Sequence, residues 1–281
     1  MNSHDKPIIF SEGKYTAQDL DDFRKKNKIW AEKDIFRSQL VELFEVSRPH
    51  LIGDDKYSAE LEAYIKDKEG DNSLLSGNYI YVPSSGLLLH MVGSDDLYTL
   101  RTNRTSHLVT TKEKLKLRGF TAGVAGLSFG NGIALSLAYS GISDSIKVAD
   151  RDIFETTNLN RVRVGLPSVE VNKTSVTARE IYEINPYANV EIYNEGLTDQ
   201  NLNEFINGKT KLRIVYDVVD DFAMKVKIRL AAKEAKIPVV MLTSLEDSIL
   251  IDVERFDLQP DAEIFHGLLG EVTEDLLNKE M

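Results

Sequence analysis

From about residue 119 onward, short apolar runs and amphipathic runs alternate, and that alternation constrains the fold more than any other feature. FTAGVAG (120–126) reads as a strand of small residues, and NGIALSLAYSGI (131–142) as a helix with Ile133, Leu137 and Ala138 apolar. SIKVAD (145–150) reads as a strand ending in Asp150, and SVEVNKTSVTAREIYEI (168–184) as an amphipathic helix that Ser168 caps. NVEIYNE, NLNEFING, LRIVYDVVD, FAMKVKIRLAAKEAK and IPVVMLTS continue the pattern as strand, helix, strand, helix and strand. A β-α-β-α-β-α-β-α-β order predicts an α/β fold with a doubly wound, mostly parallel sheet. Ligands of such sheets sit at the carboxyl ends of the strands. SILIDVERFD (248–257) adds one more strand or a hairpin arm, and the tail to Met281 carries an acidic helical pattern.

Residues 1–97 read as a separate helical or α+β extension, and 98–281 as the main domain. Thr16 is placed to cap a helix over AQDLDDFRKKN. AEKDIFRSQLVELFEV (31–46) puts Phe36, Leu40, Leu43 and Phe44 on one helical face, and SAELEAYIKDK gives a third helix. YIYV (79–82) and LLLHMV (87–92) read as strands around the turn at 83–86, with His90 as a packed histidine.

Composition excludes several function classes. There are no cysteines, so disulfides, thiolate zinc sites and a cysteine nucleophile are ruled out. The formal net charge of −11 makes a poor general nucleic-acid binder, because phosphate contacts need a basic face. No apolar run is long enough to span a membrane. The opening MNSHDKPIIFSEGKY lacks the basic start and long apolar stretch of a signal peptide, which points to a cytoplasmic protein. The five histidines show no ligand spacing, and no G-x-S-x-G elbow occurs.

The polar residues that carry chemistry fall after the strands. AGVAGLSFGNG (122–132) follows one strand and opens a helix; Gly126, Ser128 and Gly130 are candidates for phosphate contact at the helix N-terminus. Leu127 and Ser128 stand where glycines are expected in a G-x-G-x-x-G turn, and a simple packing turn is the competing reading. Asp150 is placed to accept hydrogen bonds from ribose hydroxyls, or merely to end its strand. Asn158, Asn160 and Arg161 share one loop, and a guanidinium can form paired bonds to phosphate oxygens. Lys173 lies in the first turns of the next helix, where a cation is unfavourable for the helix itself but suits a bound anion. DVVDD (217–221) gathers three carboxylates after the fourth strand, as a magnesium contact or a helix cap.

In this order the features resemble the ThiF/MoeB/HesA superfamily, the ubiquitin-activating-enzyme-like class with a Rossmann-like sheet. The segment VADRDIFETTNLNRV is similar to that family's D-x-D-x-x-x-x-(S/T)-N-L-(N/Q)-R segment. Its downstream lysine falls on Lys173, its acidic segment on DVVDD, and its R-x-x-R on Arg101 to Arg104. The resemblance implies ATP as the nucleotide and Mg²⁺ as the metal. Asp150 would bind the ribose, Asn158 and Arg161 the nucleotide, Lys173 the phosphates and Asp220 the metal. Arg104 would reach the site of a second copy in a homodimer. The implied chemistry is adenylation of a small-molecule or peptide carboxylate, without thioester transfer because cysteine is absent. The loop GLSFGNG and the ending ERFDLQPDAEIFHGLLG also look similar to a bacterial subgroup in which this domain precedes a nitroreductase-like flavin domain. Two alternatives stand beside adenylation. One is a non-catalytic nucleotide-binding module serving a partner or fused flavin domain. The other is an NAD(P)-dependent oxidoreductase, against which the phosphate-clamping set Asn158, Arg161 and Lys173 argues.

Overall fold

The computed structural model describes residues 6–245 and 247–270. The acidic helical pattern expected beyond residue 270 lies outside them. Two compact units divide between Lys114 and Leu115, not at residue 97. Residues 98–114 stay with the first unit: one helix, Ser94–Thr102, runs across residue 97, and Lys114 is tied back to it, with Tyr98 Oη donating to the Lys114 carbonyl (2.7 Å) and Lys114 Nζ to the Thr102 carbonyl (2.5 Å).

The first unit runs β1 (Ile8–Phe10), α1 (Ala17–Lys26), β2 (Ala31–Asp34), α2 (Phe36–Ser47), α3 (Tyr57–Glu69), β3 (Asn78–Val82), β4 (Leu87–Met91) and α4 (Ser94–Thr102). Thr16 caps α1 with Asp19 completing a reciprocal box. AEKD, expected as the start of a helix, is instead strand β2, lying parallel to β4. Its four exposed residues carry no apolar helical face, so pairing with β4 decides its conformation. The sheet order is β1-β3-β4-β2. His90 is packed: it stacks on Tyr79 at 4.3 Å, its Nδ1 meets Asp34 Oδ2 (3.0 Å), and its Nε2 meets the Ser76 carbonyl (2.7 Å).

Helix α5 (Thr111–Arg118) leads into the second unit. There follow β5 (Thr121–Ala125), α6 (Leu127–Ser140), β6 (Ser145–Ala149), α7 (Lys173–Ile184), β7 (Asn189–Tyr193), α8 (Leu202–Asn207), β8 (Ile214–Asp217), α9 (Phe222–Ala235), β9 (Val239–Leu245) and β10 (Ser248–Glu254). The sheet order is β10-β9-β8-β5-β6-β7, all parallel except β10, which pairs antiparallel with β9. This is the expected doubly wound, Rossmann-like sheet. Buried residues of α6 and α7 form one core with β5 and β6, and those of α8 and α9 a second. Among the described residues no helix is long and apolar enough to cross a membrane.

Two boundaries differ from the sequence reading. Helix α6 starts at Leu127, so Gly130 and Gly132 lie inside it. Asn172, not Ser168, caps α7, its side chain accepting from Thr174 N; Ser168 sits in a short 3-10 turn.

The three acids of DVVDD part company. Asp217 turns into the core, where Arg229 NH1 meets its Oδ2 at 2.5 Å. Arg229 is itself fully buried, pairs with Glu254, and lies over the Phe265 ring at 3.9 Å. This cluster fastens α9, β8, β10 and the segment after β10 together. Removing one partner of a buried ion pair strands the other charges, at a cost of about 3–5 kcal/mol. Arg229→Met is therefore expected to lower stability by about that amount, measured by urea unfolding. A loss under about 1 kcal/mol, the level of an exposed pair, would show the cluster to be dispensable.

Candidate nucleotide-binding cleft

The order of strands reverses between β5 and β8, and a cleft of about 540 Å³ opens there at their carboxyl ends. Its size is within the range of small-molecule sites. Gly126, Leu127 and Ser128 form its floor, Asp150, Arg151, Asp152 and Arg161 one wall, and Val218, Asp220, Lys225, Thr243 and Ser244 the other.

The floor exists because of one glycine. Gly126 has φ +87°, and a Cβ there would lie 2.3 Å from the Val218 carbonyl oxygen. Only a residue without a Cβ lets β5 turn into α6 against the end of β8. Gly130 serves packing: a Cβ would meet Val124 Cγ1 at 2.7 Å, and the residue does not line the cleft. Gly132 has open space around it.

Asp150 is buried with both carboxylate oxygens engaged. Leu127 N donates to Oδ2 (2.6 Å) and Asp152 N to Oδ1 (2.8 Å). Burial pushes its carboxyl above the usual carboxylate range, against the pull of the two N–H groups and Lys173. Each oxygen keeps a second lone pair for a hydroxyl donor. Lys173, the first residue of α7, reaches back to the floor. Its Nζ donates to Ser128 Oγ (3.0 Å) and Asp152 Oδ2 (3.1 Å), with Asp150 Oδ2 at 3.9 Å. An ammonium has three donors, so one remains for an anion. Arg161 lines the cleft, steadied by NH1 bonds to the Thr157 carbonyl (3.1 Å) and Asn160 Oδ1 (3.0 Å).

Gly126, Ser128, Asp150, Arg161 and Asp220 line the cleft, whereas Lys173 is buried behind the lining and touches it through Ser128 and Asp152. Asn158 does not line the cleft: it is buried, and its Oδ1 accepts from Glu155 N (3.0 Å), so it shapes the loop that carries Arg161. Arg104 belongs to the first unit, on a 3-10 turn over Asn103–Thr105. Asp221 caps α9 by accepting from Met224 N (3.2 Å). That leaves Asp220 as the acid of DVVDD on the cleft wall without a protein partner among the described residues.

Asp152, a simple loop acid by its place in the sequence, holds Lys173, and sequence reasoning passed over Lys225, which lines the cleft with its Nζ 3.4 Å from Asp217 Oδ1. The signal for Lys225 was helical spacing, since Asp221, Lys225 and Arg229 repeat every fourth residue along α9. No cluster of three metal-ligating side chains exists among the described residues. One carboxylate is nonetheless adequate for a magnesium ion that takes its other ligands from phosphates and water.

The glycine geometry yields a paired prediction. Gly126→Ala is expected to destabilise the fold by at least about 2 kcal/mol, through the positive φ and the collision with Val218. Gly132→Ala, in an open helical position, is expected to stabilise it by roughly 0.5–1 kcal/mol. Thermal melts of both variants check this; equal melting temperatures would deny Gly126 its role.

Comparison with known proteins accords with this geometry. The ThiF family matches residues 102–246. The uncharacterized protein MT1398 of Mycobacterium tuberculosis (strain CDC 1551 / Oshkosh) is 38% identical over 199 residues, 71% of this chain and 27% of that protein. A probable molybdopterin-synthase adenylyltransferase of Porphyra purpurea is 30% identical over 131 residues, 44% of this chain and 33% of that protein. The chain thus spans about a quarter to a third of the length of these relatives. Among solved structures, PaaA superposes with a TM-score of 0.50 at 20% identity, over 75% of this chain and 67% of that one. The E. coli tRNA N6-threonylcarbamoyladenosine dehydratase TcdA in complex with ATP gives a TM-score of 0.49 at 26% identity, over 53% of this chain and 61% of that one. With more than half of its residues covered by the family match and the cleft at the sheet's switch point, the chain belongs to the ThiF family.

Proposed function

We propose that the cleft binds Mg-ATP and that the chain adenylates a small-molecule or peptide carboxylate. The observation that carries this reading is the seating of Lys173 on the first turn of α6, beside Ser128 and Asp150. A cation fixed there, at a helix N-terminus and with Arg161 on the cleft lining, meets the charge of a triphosphate. Asp150 accepts from the ribose hydroxyls, and Asp220 holds the magnesium ion, which neutralises phosphate charge. A carboxylate oxygen of the substrate attacks the α-phosphorus. The bond from that phosphorus to the oxygen bridging to the β-phosphate breaks, and pyrophosphate leaves with the electron pair. An ionised carboxylate gives up no proton in this step, so positioning and charge neutralisation suffice and no protein nucleophile is needed.

Lys173→Ala and Arg161→Ala are each expected to weaken Mg-ATP binding at least tenfold, about 1.4 kcal/mol. Arg161→Ala keeps its melting temperature, while Lys173→Ala, which removes a buried cation beside Asp150, melts lower and is compared at a temperature where it is folded. Calorimetry with Mg-ATP and NAD⁺ in parallel decides between nucleotides. Unchanged Mg-ATP affinity in both variants would remove the phosphate assignment, and binding of NAD⁺ alone would move the protein to the oxidoreductases.

A second reading keeps Mg-ATP binding but not the chemistry: the chain is a nucleotide-binding module that serves a partner or a fused nitroreductase-like flavin domain. Leu127 and Ser128, standing where a phosphate-binding turn carries glycines, favour it. Binding without pyrophosphate release from any carboxylate tried would select this reading.

The adenylation reading includes a homodimer. Ile249, Ile251 and Val253 alternate along β10 and are 56%, 60% and 46% exposed on one sheet face, while Asp252 and Glu254 turn to Arg229 on the other. A second copy would cover that apolar face, and Arg104 of each copy would serve the other's ATP. Light scattering is expected to give a dimer for the wild type and a monomer for Ile251→Glu; a monomeric wild type at high concentration removes Arg104 from the site.

A further inference from the structure

The first turns of α6 and α7 are joined by a closed circuit of hydrogen bonds. Ser128 and Asn131 stand three residues apart on α6, and Lys173 and Thr177 four apart on α7, so each pair shares a helix face. Asn131 Nδ2 donates to Thr177 Oγ1 (3.1 Å) and to Glu180 Oε2 (2.9 Å). Thr177 Oγ1 donates in turn to the Lys173 carbonyl (2.8 Å). Lys173 Nζ closes the circuit on Ser128 Oγ (3.0 Å). The directions are mutually consistent, since an amide nitrogen only donates while a hydroxyl accepts one bond and donates another. Asn131 and Thr177 are fully buried, and neither lines the cleft.

Such a circuit is a costly way to join two helices. Replacing both partners of a buried hydrogen bond by apolar groups is often neutral for stability. What hydrogen bonds add is direction and register. Lysine has a flexible four-carbon stem, so its ammonium is fixed only if its backbone and its partner both are. A slip of α7 by one residue moves Lys173 by about 1.5 Å along the axis, enough to break a 3.0 Å bond to Ser128.

We propose that Asn131 and Thr177 are positioning residues, which lock the register of α7 on α6 so that the Lys173 ammonium is held against Ser128 of the cleft floor, within reach of the phosphates of the nucleotide. The inference rests on the Mg-ATP reading of the cleft. It separates the structural circuit, out of reach of any ligand, from the two residues it presents.

The test is Mg-ATP affinity by calorimetry for the full chain. Thr177→Val removes the hydroxyl at nearly constant volume and is expected to weaken binding about tenfold. Thr177→Ser restores the hydroxyl and is expected to stay within about twofold of wild type. Asn131→Leu breaks the same circuit from α6 and carries the same expectation should the valine variant fold poorly. Circular dichroism melts confirm that each variant compared is folded. A cycle with Ser128→Ala tells positioning from general weakening: if Thr177 acts through the seat of Lys173, the double variant loses less than the product of the two single losses. Independent, multiplying losses overturn the inference, as does wild-type affinity in Thr177→Val and Asn131→Leu. A wild-type protein that binds no Mg-ATP overturns the reading of the cleft and this inference with it. A wild type that binds, with unaffected circuit variants, overturns the inference alone.

Discussion

The second unit depends on the contact between Gly126 and the backbone of Val218. At this point β5 must leave the sheet for α6 while β8, its neighbour on the other side, leaves for α9 in the opposite direction. The two backbones meet closely enough that a methyl group would not fit between them. Val218 N donates to the Ala125 carbonyl and Gly126 N to the Ala149 carbonyl, so the chain crosses with these backbone groups paired. The cleft is the space left above this crossing. Its floor is a helix N-terminus because the turn is tight, and its walls are strand ends because the sheet is parallel.

Charge is buried in two ways around that crossing. Below the strand ends, Asp217 and Glu254 share Arg229 inside the core, with Lys225 beside Asp217, and the work they do is mechanical: they hold β10 and the segment after it to α9. At the cleft, Asp150 is buried too, but its oxygens are held by backbone N–H groups and its cation stands off at 3.9 Å. A carboxylate satisfied by backbone groups keeps its shape while its lone pairs remain open to a ligand. A carboxylate closed by a guanidinium does not. Asp217 and Asp220, three residues apart, illustrate the division: one is consumed by the core and the other faces the cleft.

The circuit linking Asn131, Thr177 and Lys173 extends the same theme into the helices. Lys173 and Arg161 are each fixed from outside the cleft lining, through Thr177 and through the loop that Asn158 shapes, while Asp150 is fixed by the amides of Leu127 and Asp152 on the lining itself. This is the arrangement by which a site keeps its geometry before a ligand arrives.

The sequence by itself determined the order of strands and helices, the parallel sheet and the edge at which the site lies. Alternation of apolar runs is a local property, and the direction of each connection follows from it. It also placed Asp150, Arg161, Lys173 and Asp220 together, since each follows a strand whose end must lie on the same edge. The conformation of AEKD, the start of α6 and the separation of Asp217 from Asp220 were decided only by tertiary structure. In each case the choice turns on a partner remote in sequence: β4 for AEKD, the Val218 backbone for the α6 turn, Arg229 and Glu254 for Asp217. The roles of Asn158 and Asn131 were hidden for a similar reason. An amide reads the same in a sequence whether it will meet a ligand or a buried neighbour, and only packing assigns its partner.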